Sequence, residues 1–382
     1  MSPFQDSNAS RPPGSSQAVD DTTLQQLLVG VSRTFALTIP QLPPALARVV
    51  GNAYLLCRIA DTIEDEPALA ASEKQYFCAR LANLIEPATA SEWAQRPEGA
   101  ARVCSGDDGS RMAGDLVLRL SSSTLPEERR LVTELPRVIA QLRQFTAIEQ
   151  HAIARCVICM GQGMAEFQQH ASTRGLADLA SLDRYCYHVA GVVGEMLTTL
   201  FCEHVPVMHD RGDTLMRLAI SFGQGLQMTN ILKDVWEDLA RGACWLPRSV
   251  FVEAGFDLDQ LGSARPDASR LQAFRHLLGL AHAHLQRALD YTLLIPREQS
   301  GIRNFCLWAI LMALLTLRRI EQTPHYRSGN EVKISRRSVR AVVAASRLCA
   351  GHDGLTRQLF RFASRGLPLA SLPSLTTTAP AT

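Results

Sequence analysis

The sequence predicts an all-α protein that folds as one helical bundle. Apolar residues recur with a period near 3.6 in nine segments, whereas the alternating pattern typical of β-strands is nearly absent. No linker divides the middle of the 382-residue chain, so a single large domain is expected. The nine segments are 22–37, 44–64, 72–86, 128–145, 147–170, 181–203, 212–240, 267–294 and 302–321.

Helix-breaking residues lie where these segments begin and end. The proline-rich stretch 40–44 ends the first predicted helix, and Pro126 opens a later one. Gly242 and Pro247 close the helix predicted over 212–240. The helix-breaking residues therefore agree with the apolar periodicity.

The two ends of the chain are less apolar than its middle. Residues 1–20 and 367–382 lack the apolar pattern that offsets the entropy cost of ordering, so we predict a disordered N-terminal tail and a flexible C-terminal one. Between them we expect a main helical domain over 21–325 and a C-terminal helical extension over 326–366. The stretch 88–112 is rich in Ala, Gly, Ser and charged residues, and it predicts a surface loop.

Charge and cysteine content argue against several classes of protein. Lys and Arg number 39 and Asp and Glu 37, and the resulting formal charge of +2 lacks the basic excess expected of a nucleic-acid-binding protein. Ten cysteines are scattered through the chain, and its start lacks the basic and apolar regions of a signal peptide. We therefore expect reduced cysteines and a cytoplasmic location.

A first acidic cluster lies at the end of the second predicted helix. Tyr54, Arg58, Asp61 and Asp65 are spaced i, i+4, i+7 and i+11, which places them on one face of a helix. The neighbouring apolar residues fall on the other faces. This spacing predicts a polar stripe along an otherwise apolar helix.

A second acidic cluster has nearly the same spacing. Gln227, Asn230, Asp234 and Asp238 lie at i, i+3, i+7 and i+11 within the segment 212–240. Apolar residues flank this stripe too. Two helices are therefore each expected to carry a polar stripe through apolar surroundings.

The two stripes indicate chemistry rather than stability. Carboxylates four residues apart on a helix repel each other by about 0.2–0.5 kcal/mol, and buried carboxylates cost more unless a cation compensates them. Mg²⁺ is a suitable cation because it prefers oxygen ligands, keeps several waters and binds one or two carboxylates together with substrate phosphates. The pattern therefore predicts a Mg²⁺-dependent diphosphate site, although a solvated helix face would explain either stripe taken alone.

Four strings of residues resemble the squalene/phytoene synthase family. They are Ser32–Phe35, Tyr54–Asp65, Tyr185–Gly191 and Gln227–Asp238, and the match runs in order from about residue 25 to 320. The resemblance implies a helical bundle of the isoprenoid-synthase type with a central cavity. It also implies a prenyltransferase of isoprenoid, sterol or hopanoid biosynthesis.

The resemblance implies head-to-head condensation of two farnesyl diphosphates through presqualene diphosphate, followed by reduction with NADPH to squalene. Gly161–Phe167 and Gly301–Cys306 look more like squalene synthases, whereas Trp245–Pro247 and Tyr187 are closer to the phytoene pattern. The alternative is therefore a synthase that stops at dehydrosqualene, phytoene, hydroxysqualene or presqualene diphosphate without NADPH reduction. A third hypothesis, an inactive relative that serves in binding or assembly, should have lost aspartates that this chain keeps.

The chemistry and the resemblance together assign roles to individual residues. Tyr185 is implied to assist proton removal when the cyclopropane closes, and Tyr54 to line the site of the second step; a core tyrosine is the alternative for each. Glu237 lies off its stripe and is expected only to support the ligands. The expected metal ligands are Asp61, Glu64, Asp65, Asn230, Asp234 and Asp238. The expected substrate contacts are Ser32, Arg33, Arg58, Gln227, Asn230, Lys233 and Phe305.

Cofactor and partners are expected from weaker signals. NADPH rests on the resemblance alone, because the chain has no strand followed by G-x-G-x-x-G and a helix. The apolar run Phe305–Leu315 is shorter than the roughly 20 residues that cross a bilayer, so we expect a soluble protein. A long-chain product would require transient contact with a membrane surface, and the resemblance favours a monomer.

Overall fold

The structure is a computed structural model, and it describes residues 18–32, 35–86, 106–262 and 267–372. A π-helical segment, Tyr187–Gly191, joins two of the helices, and 3₁₀ turns form at Ile39–Gln41, Pro206–Arg211 and Leu258–Gln260. The α-helices in chain order are α1 (Asp21–Val31), α2 (Phe35–Thr38), α3 (Pro44–Asp65), α4 (Ala71–Ile85), α5 (Gly106–Val117), α6 (Pro126–Thr133), α7 (Leu135–Leu142), α8 (Ala147–Gln169), α9 (Leu179–Cys186), α10 (Val192–His204), α11 (Gly212–Ala240), α12 (Arg248–Glu253), α13 (Ala268–Leu294), α14 (Ser300–Gln322), α15 (Gly329–Val332), α16 (Arg336–Cys349) and α17 (Asp353–Ala363).

The all-α prediction is confirmed. In the described ranges the extended pairing is limited to an isolated bridge between Leu176 and Pro247. Pro126 begins α6, and Gly242 follows α11 with a positive φ of 84°, which glycine adopts without strain. Six predicted segments agree with α3, α4, α8, α11, α13 and α14 to within two residues at each end.

The prediction of one helix over 22–37 was wrong. α1 ends at Val31, and Ser32 is extended, with φ −151° and ψ 121°. The hydroxyl of Ser32 accepts a hydrogen bond from the amide of Phe35 at 3.0 Å, so the side chain caps the next helix instead of continuing the first. Apolar periodicity alone does not reveal that a side-chain cap competes with continuation of the helix at Ser32.

Two more predictions of local structure were wrong. The segment 128–145 is two helices, because Pro136 in the first turn of α7 has no amide hydrogen with which to continue α6. The predicted loop over 88–112 is helical from Gly106 onwards, in α5. The part of that stretch before residue 106 lies outside the described residues.

The buried apolar side chains form two clusters that meet within α11. The first cluster includes α1, α3, α4, α8, α10 and the beginning of α11. The second includes the C-terminal half of α11 together with α12, α13 and α14. Phe222, in the middle of α11, packs against both. The two acidic stripes therefore belong to different clusters, and the boundary between the clusters, here called the seam, lies between them.

Glycines let the helices at the seam approach closely. A Cβ atom on Gly223 of α11 would lie 2.2 Å from the backbone oxygen of Ala190. A Cβ atom on Gly194 of α10 would lie 2.3 Å from the backbone oxygen of Ala219. No side chain fits at these distances in a packed interior, so α11 lies with its backbone directly against the π-helical segment and α10.

Helix α14 is the most apolar long helix that the described ranges contain. It is long and apolar enough to cross a membrane, but 72% of its apolar stretch is buried inside the protein. It packs against α11 and α13, and its side chains contribute to the second cluster. In this structure it is a core helix of the bundle.

Three helices follow α14. The short α15 packs against α11, while α16 and α17 contact each other and both pack against α14. This arrangement brings the C-terminal part of the chain onto the half of the bundle that carries the second acidic stripe. The domain boundaries at residues 20, 325 and 366 stay predictions.

Glu66 fixes the end of α3, directly after the first acidic stripe. Its side chain is 2% exposed and accepts hydrogen bonds from the amides of Ala68 (3.0 Å) and Ser121 (3.2 Å) and from the hydroxyl of Thr124. Burial alone would raise the pKa of Glu66, but these hydrogen bonds outweigh burial and lower the pKa from 4.5 to about 2. Glu66 therefore ties the end of α3 to the loop before α6.

We expect Glu66→Gln to lower the free energy of unfolding by about 2 kcal/mol at neutral pH, because an amide accepts these hydrogen bonds less well than a carboxylate. Since the folded pKa is below the unfolded value of 4.5, the stabilisation is present above that pH and is lost as the pH falls towards 2. Urea titrations at neutral and acidic pH measure the difference, with the exposed Glu86→Gln as control. A difference that does not shrink in acid would contradict the role given to these hydrogen bonds.

Candidate active site

The negative charge of the first acidic stripe is compensated mainly by one arginine. Nη1 of Arg58 lies 3.5 Å from Oδ2 of Asp61 on the same helix, and Nη2 of Arg58 pairs with Oε1 of Glu128 in α6. Burial raises the pKa of Asp61 to about 6; Arg58 opposes the rise and Asp65 adds to it. The negative charge of the stripe is therefore only partly balanced.

Glu64 lies off the stripe and lines a cavity of about 140 Å³ between α3, α4 and α8. Burial raises its pKa to about 7, while a hydrogen bond from Gln168 opposes the rise and Asp65 adds to it. Lys74 and Cys78 line the same cavity from α4. Because pockets for organic ligands usually have volumes of about 300–1,000 Å³, a long substrate chain requires the cavity wall to move.

The second acidic stripe is compensated in the same manner. Nζ of Lys233 lies 3.0 Å from Oδ2 of Asp234, and Nη2 of Arg241 lies 2.9 Å from Oδ1 of Asp238. Burial raises the pKa of Asp238 to about 6; Arg241 opposes the rise and Asp234 adds to it. Each stripe is thus held near cations that come largely from its own helix.

Glu237 supports the second stripe by holding a loop. Its Oε1 accepts hydrogen bonds from the amide of Gly329 (2.9 Å) and the hydroxyl of Ser328 (3.2 Å). Its Oε2 is buried and has no hydrogen-bond partner among the described residues. A Cβ atom on Gly329 would lie 2.9 Å from Oδ1 of Asp234, so the loop lies directly against the stripe.

Tyr185 packs among aromatic side chains. Its ring stacks on Trp245, with centroids 4.3 Å apart and planes at 10°, and meets Phe167 edge-on at 5.2 Å. Burial raises the pKa of Tyr185 well above its usual value, and the negative charges of Glu64 and Asp238 add to the rise. Tyr185 is therefore close to both acidic clusters, and its hydroxyl is held protonated.

Tyr54 lies near the beginning of the first stripe. Its hydroxyl donates to the backbone oxygen of Val31 at 3.5 Å, and its ring lies 4.8 Å from that of Phe35. Burial raises the pKa of Tyr54, and a hydrogen bond with Ser32 opposes the rise. The structure thus brings Tyr54 and Ser32 together, whereas Arg33 lies outside the described residues.

The remaining expected substrate contacts have different surroundings. Gln227 is half-buried and Asn230 is exposed, and both are on α11 in the turns before Asp234. Phe305 is only 6% exposed and meets Phe201 edge-on at 6.1 Å. The structure places Phe305 in the first hydrophobic cluster, so its contact with substrate stays a prediction.

The carboxylates fit a hard divalent cation. Asp61, Asp65, Asp234 and Asp238 offer the oxygen ligands that Mg²⁺ prefers. Within the ranges that the structure describes, no group of three or more His, Cys, Asp or Glu side chains could hold an ion by itself. An ion at either stripe therefore needs further ligands such as water or phosphate oxygens, which Mg²⁺ commonly has.

Some residues of the site were missed in the sequence. Glu128 pairs with Arg58 from another helix, and Gln168 of α8 reaches Glu64, beside the first stripe. Neither contact leaves a local signal, because its partners are far apart in the chain. Arg241 lies three residues after Asp238, and this spacing alone could have revealed the pair.

Comparisons with known proteins agree in family and fold. Residues 28–338 match the family model described as squalene/phytoene synthase. The chain is 29% identical over 298 residues to the squalene synthase of Eremothecium gossypii, which covers 76% of this chain and 60% of that protein. This chain therefore spans about 60% of the length of that relative.

Solved structures share the fold at low identity. The complex of TcSQS with a ligand has a TM-score of 0.67 at 22% identity and covers 90% of this chain and 89% of that one. A dehydrosqualene synthase in complex with a ligand has a TM-score of 0.59 at 18% identity and covers 85% of this chain and 94% of that one. At these identities the likeness is one of fold.

We expect Glu128→Gln to lower kcat/KM for a diphosphate substrate about tenfold, because Arg58 loses one of the two carboxylates that orient it. The free energy of unfolding should fall by about 1–2 kcal/mol, since a partly buried guanidinium loses a charged hydrogen-bond partner. Steady-state kinetics and urea unfolding measure the two effects, with Glu127→Gln, an exposed neighbour in the same turn, as control. A loss of stability with unchanged kcat/KM would show that the pair is structural only.

Proposed function

The chain belongs to the squalene/phytoene synthase family, and from this membership we propose that it condenses two farnesyl diphosphates head to head, through presqualene diphosphate, to squalene with NADPH. The observation that carries the proposal is the pair of partly compensated aspartate stripes, with Tyr185 close to both. The relative named squalene synthase supports this choice of product.

Mg²⁺ is part of the proposal because the carboxylates of the site suit it. When bound, it acts as a Lewis acid that neutralises the charge of the departing diphosphate. The residues that would hold it are Asp61, Glu64 and Asp65 on α3 and Asn230, Asp234 and Asp238 on α11.

The cations beside the aspartates are suited to the diphosphate itself. The planar guanidinium of Arg58 can bind two phosphate oxygens at once, and Lys233 can bind one. Their side chains are 26% and 31% exposed. Both cations are therefore within reach of solvent, and a diphosphate can replace an aspartate as their partner. Arg33, Ser32 and Gln227 are the further expected contacts.

Tyr185 is proposed to act through its neutral hydroxyl. The raised pKa of Tyr185 keeps the proton on its phenolic oxygen. The hydroxyl can therefore donate a hydrogen bond to the base that removes a substrate proton when the cyclopropane closes. Trp245 and Phe167 surround the ring with aromatic faces and edges. Aromatic faces attract positive charge, and a dry site protects carbocations from water. Tyr54 is proposed to line the site of the second step.

Reduction by NADPH is proposed from membership of the family. No residue is assigned to NADPH, because the described ranges contain no strand from which a β-α-β nucleotide unit could be built. The alternative product is dehydrosqualene, phytoene or an intermediate released without reduction. One solved structure that shares the fold is named a dehydrosqualene synthase. We further propose a monomer in the cytoplasm that contacts a membrane surface transiently.

Product analysis tests the proposed function. Purified protein is incubated with farnesyl diphosphate and Mg²⁺, with and without NADPH, and the products are identified by mass. We expect squalene only with NADPH and presqualene diphosphate in its absence. A product that is the same with and without NADPH would assign the chain to the alternative branch, and no turnover of C15 or C20 diphosphates would contradict a synthase altogether.

We expect Asp61→Asn and Asp234→Asn each to lower turnover by at least about 100-fold, because each removes a carboxylate that would hold Mg²⁺, the cation that neutralises the departing diphosphate as the bond breaks. The helical circular dichroism and the melting temperature should stay nearly unchanged, since no packed apolar group is removed. Asp213→Asn, exposed in the first turn of α11, is the control. Activity within about tenfold of wild type would remove that aspartate from the metal site.

A further inference from the structure

The helices α16 and α17 form a C-terminal hairpin that is strongly basic. Residues 334–372 contain seven arginines and one acidic residue, Asp353, whereas the whole chain has a formal net charge of +2. Asp353 is already paired with Arg297 and Arg303. The seven arginines are Arg336, Arg337, Arg340, Arg347, Arg357, Arg361 and Arg365.

Most of these arginines are exposed without a compensating carboxylate. Arg357 has a long ion pair, with 3.7 Å between its Nη1 and Oδ1 of Asp290. Arg337, Arg340 and Arg361 have no ion-pair partner among the described residues. Their charge is therefore available to an external anion.

Large apolar side chains lie among the arginines. Leu348 is 77% exposed, Phe362 70%, Leu369 58% and Leu355 45%. These four are a third of the twelve large apolar side chains that the structure describes as exposed, and they all follow residue 347. Single exposed apolar residues need no explanation, but a group of them marks an interaction surface.

The two helices present this surface on one side of the protein. Val342 of α16 and Phe360 of α17 are buried in the second hydrophobic cluster, and both helices pack on α14. Helical geometry turns Leu348 and Phe362 away from those buried side chains. The outward faces of α16 and α17 are therefore neighbours, and together they form the hairpin surface.

A basic groove adjoins the hairpin surface. Arg318 and Arg319 of α14 and Lys333, which precedes α16, line a groove of about 320 Å³. Arg318 also donates to the backbone oxygen of Phe362 at 3.4 Å, so this groove lies beside the exposed Phe362. Three more cations thus adjoin the hairpin surface.

We propose that the hairpin surface docks this protein reversibly on a lipid bilayer with anionic headgroups. The arginines lie among the headgroups, and Leu348 and Phe362 enter the interface between headgroups and acyl chains. The hairpin surface gives a location to the membrane contact put forward under the proposed function. Only the purpose of that contact, the release of a long-chain product, rests on the proposed function. Lipid binding itself requires no turnover.

Charge and side-chain type favour a bilayer over other occupants. A nucleic acid would pair with the arginines but offers no apolar layer to Leu348, Leu355 and Phe362. A second copy would bring its own arginines to the same surface, and like charges repel. The segment 373–382 contains no acidic residue with which to cover the arginines.

Sedimentation of the full chain with lipid vesicles tests the proposal. We expect binding to vesicles in which about a third of the lipid is phosphatidylglycerol, little binding to pure phosphatidylcholine, and weaker binding at high salt. Arg337→Gln combined with Arg340→Gln should weaken partitioning about 25-fold, at about fivefold for each arginine near an anionic surface. Phe362→Ser should weaken it about tenfold. Val252→Ser, 65% exposed on α12, is the matched control and should bind like wild type.

Each other outcome contradicts the proposal. Equal binding to both kinds of vesicle, or unchanged binding of both hairpin variants, would overturn it. Displacement from vesicles by a DNA duplex, with Phe362→Ser unaffected, would assign the surface to nucleic acid, and self-association that the hairpin variants abolish would assign it to a second copy. Absence of vesicle binding in a preparation that turns over farnesyl diphosphate would reject the docking surface and leave the proposed function intact.

Discussion

Negative charge held inside a helical bundle is the constraint on which the rest of this structure depends. Burial raises the pKa of Asp61 and Asp238 to about 6, and one arginine beside each compensates the charge only in part. Burying such groups is unfavourable unless a partner completes the charge balance. A ligand that brings positive charge to the carboxylates and negative charge to Arg58 and Lys233 would complete this balance.

The bundle accommodates these polar groups because the two stripes belong to different hydrophobic clusters. Each cluster packs around its own set of helices, and Phe222 joins them within α11. The seam can then hold charged side chains without interrupting either core. The π-helical segment Tyr187–Gly191 lies at this seam and begins two residues after Tyr185, and such segments inside helices are frequent at functional sites.

Regular spacing made most of the helices and both stripes predictable. Helical periodicity locates α11 to the residue, because its ends have clear signals such as Gly242. It fails at Ser32, where a side-chain cap competes with the helix, and at Pro136, whose missing amide hydrogen divides one apolar segment into two helices. The partners of the stripes could not be predicted in the same manner. Contacts such as that between Tyr185 and Trp245 join distant residues, and no local pattern records which helices meet.

The walls of the site differ in how large a side chain they tolerate at their glycine positions. At Gly194 and Gly223 backbone lies against backbone, so a larger residue there would displace a helix that carries or supports the aspartates. At Gly161, which lines the cavity beside Glu64, a Cβ atom would meet Sγ of Cys78 at 3.8 Å, an ordinary contact. For the proposed prenyl diphosphate substrate, the wall near α4 is therefore the place where evolution or protein engineering could alter the accepted chain length, while the seam stays as it is.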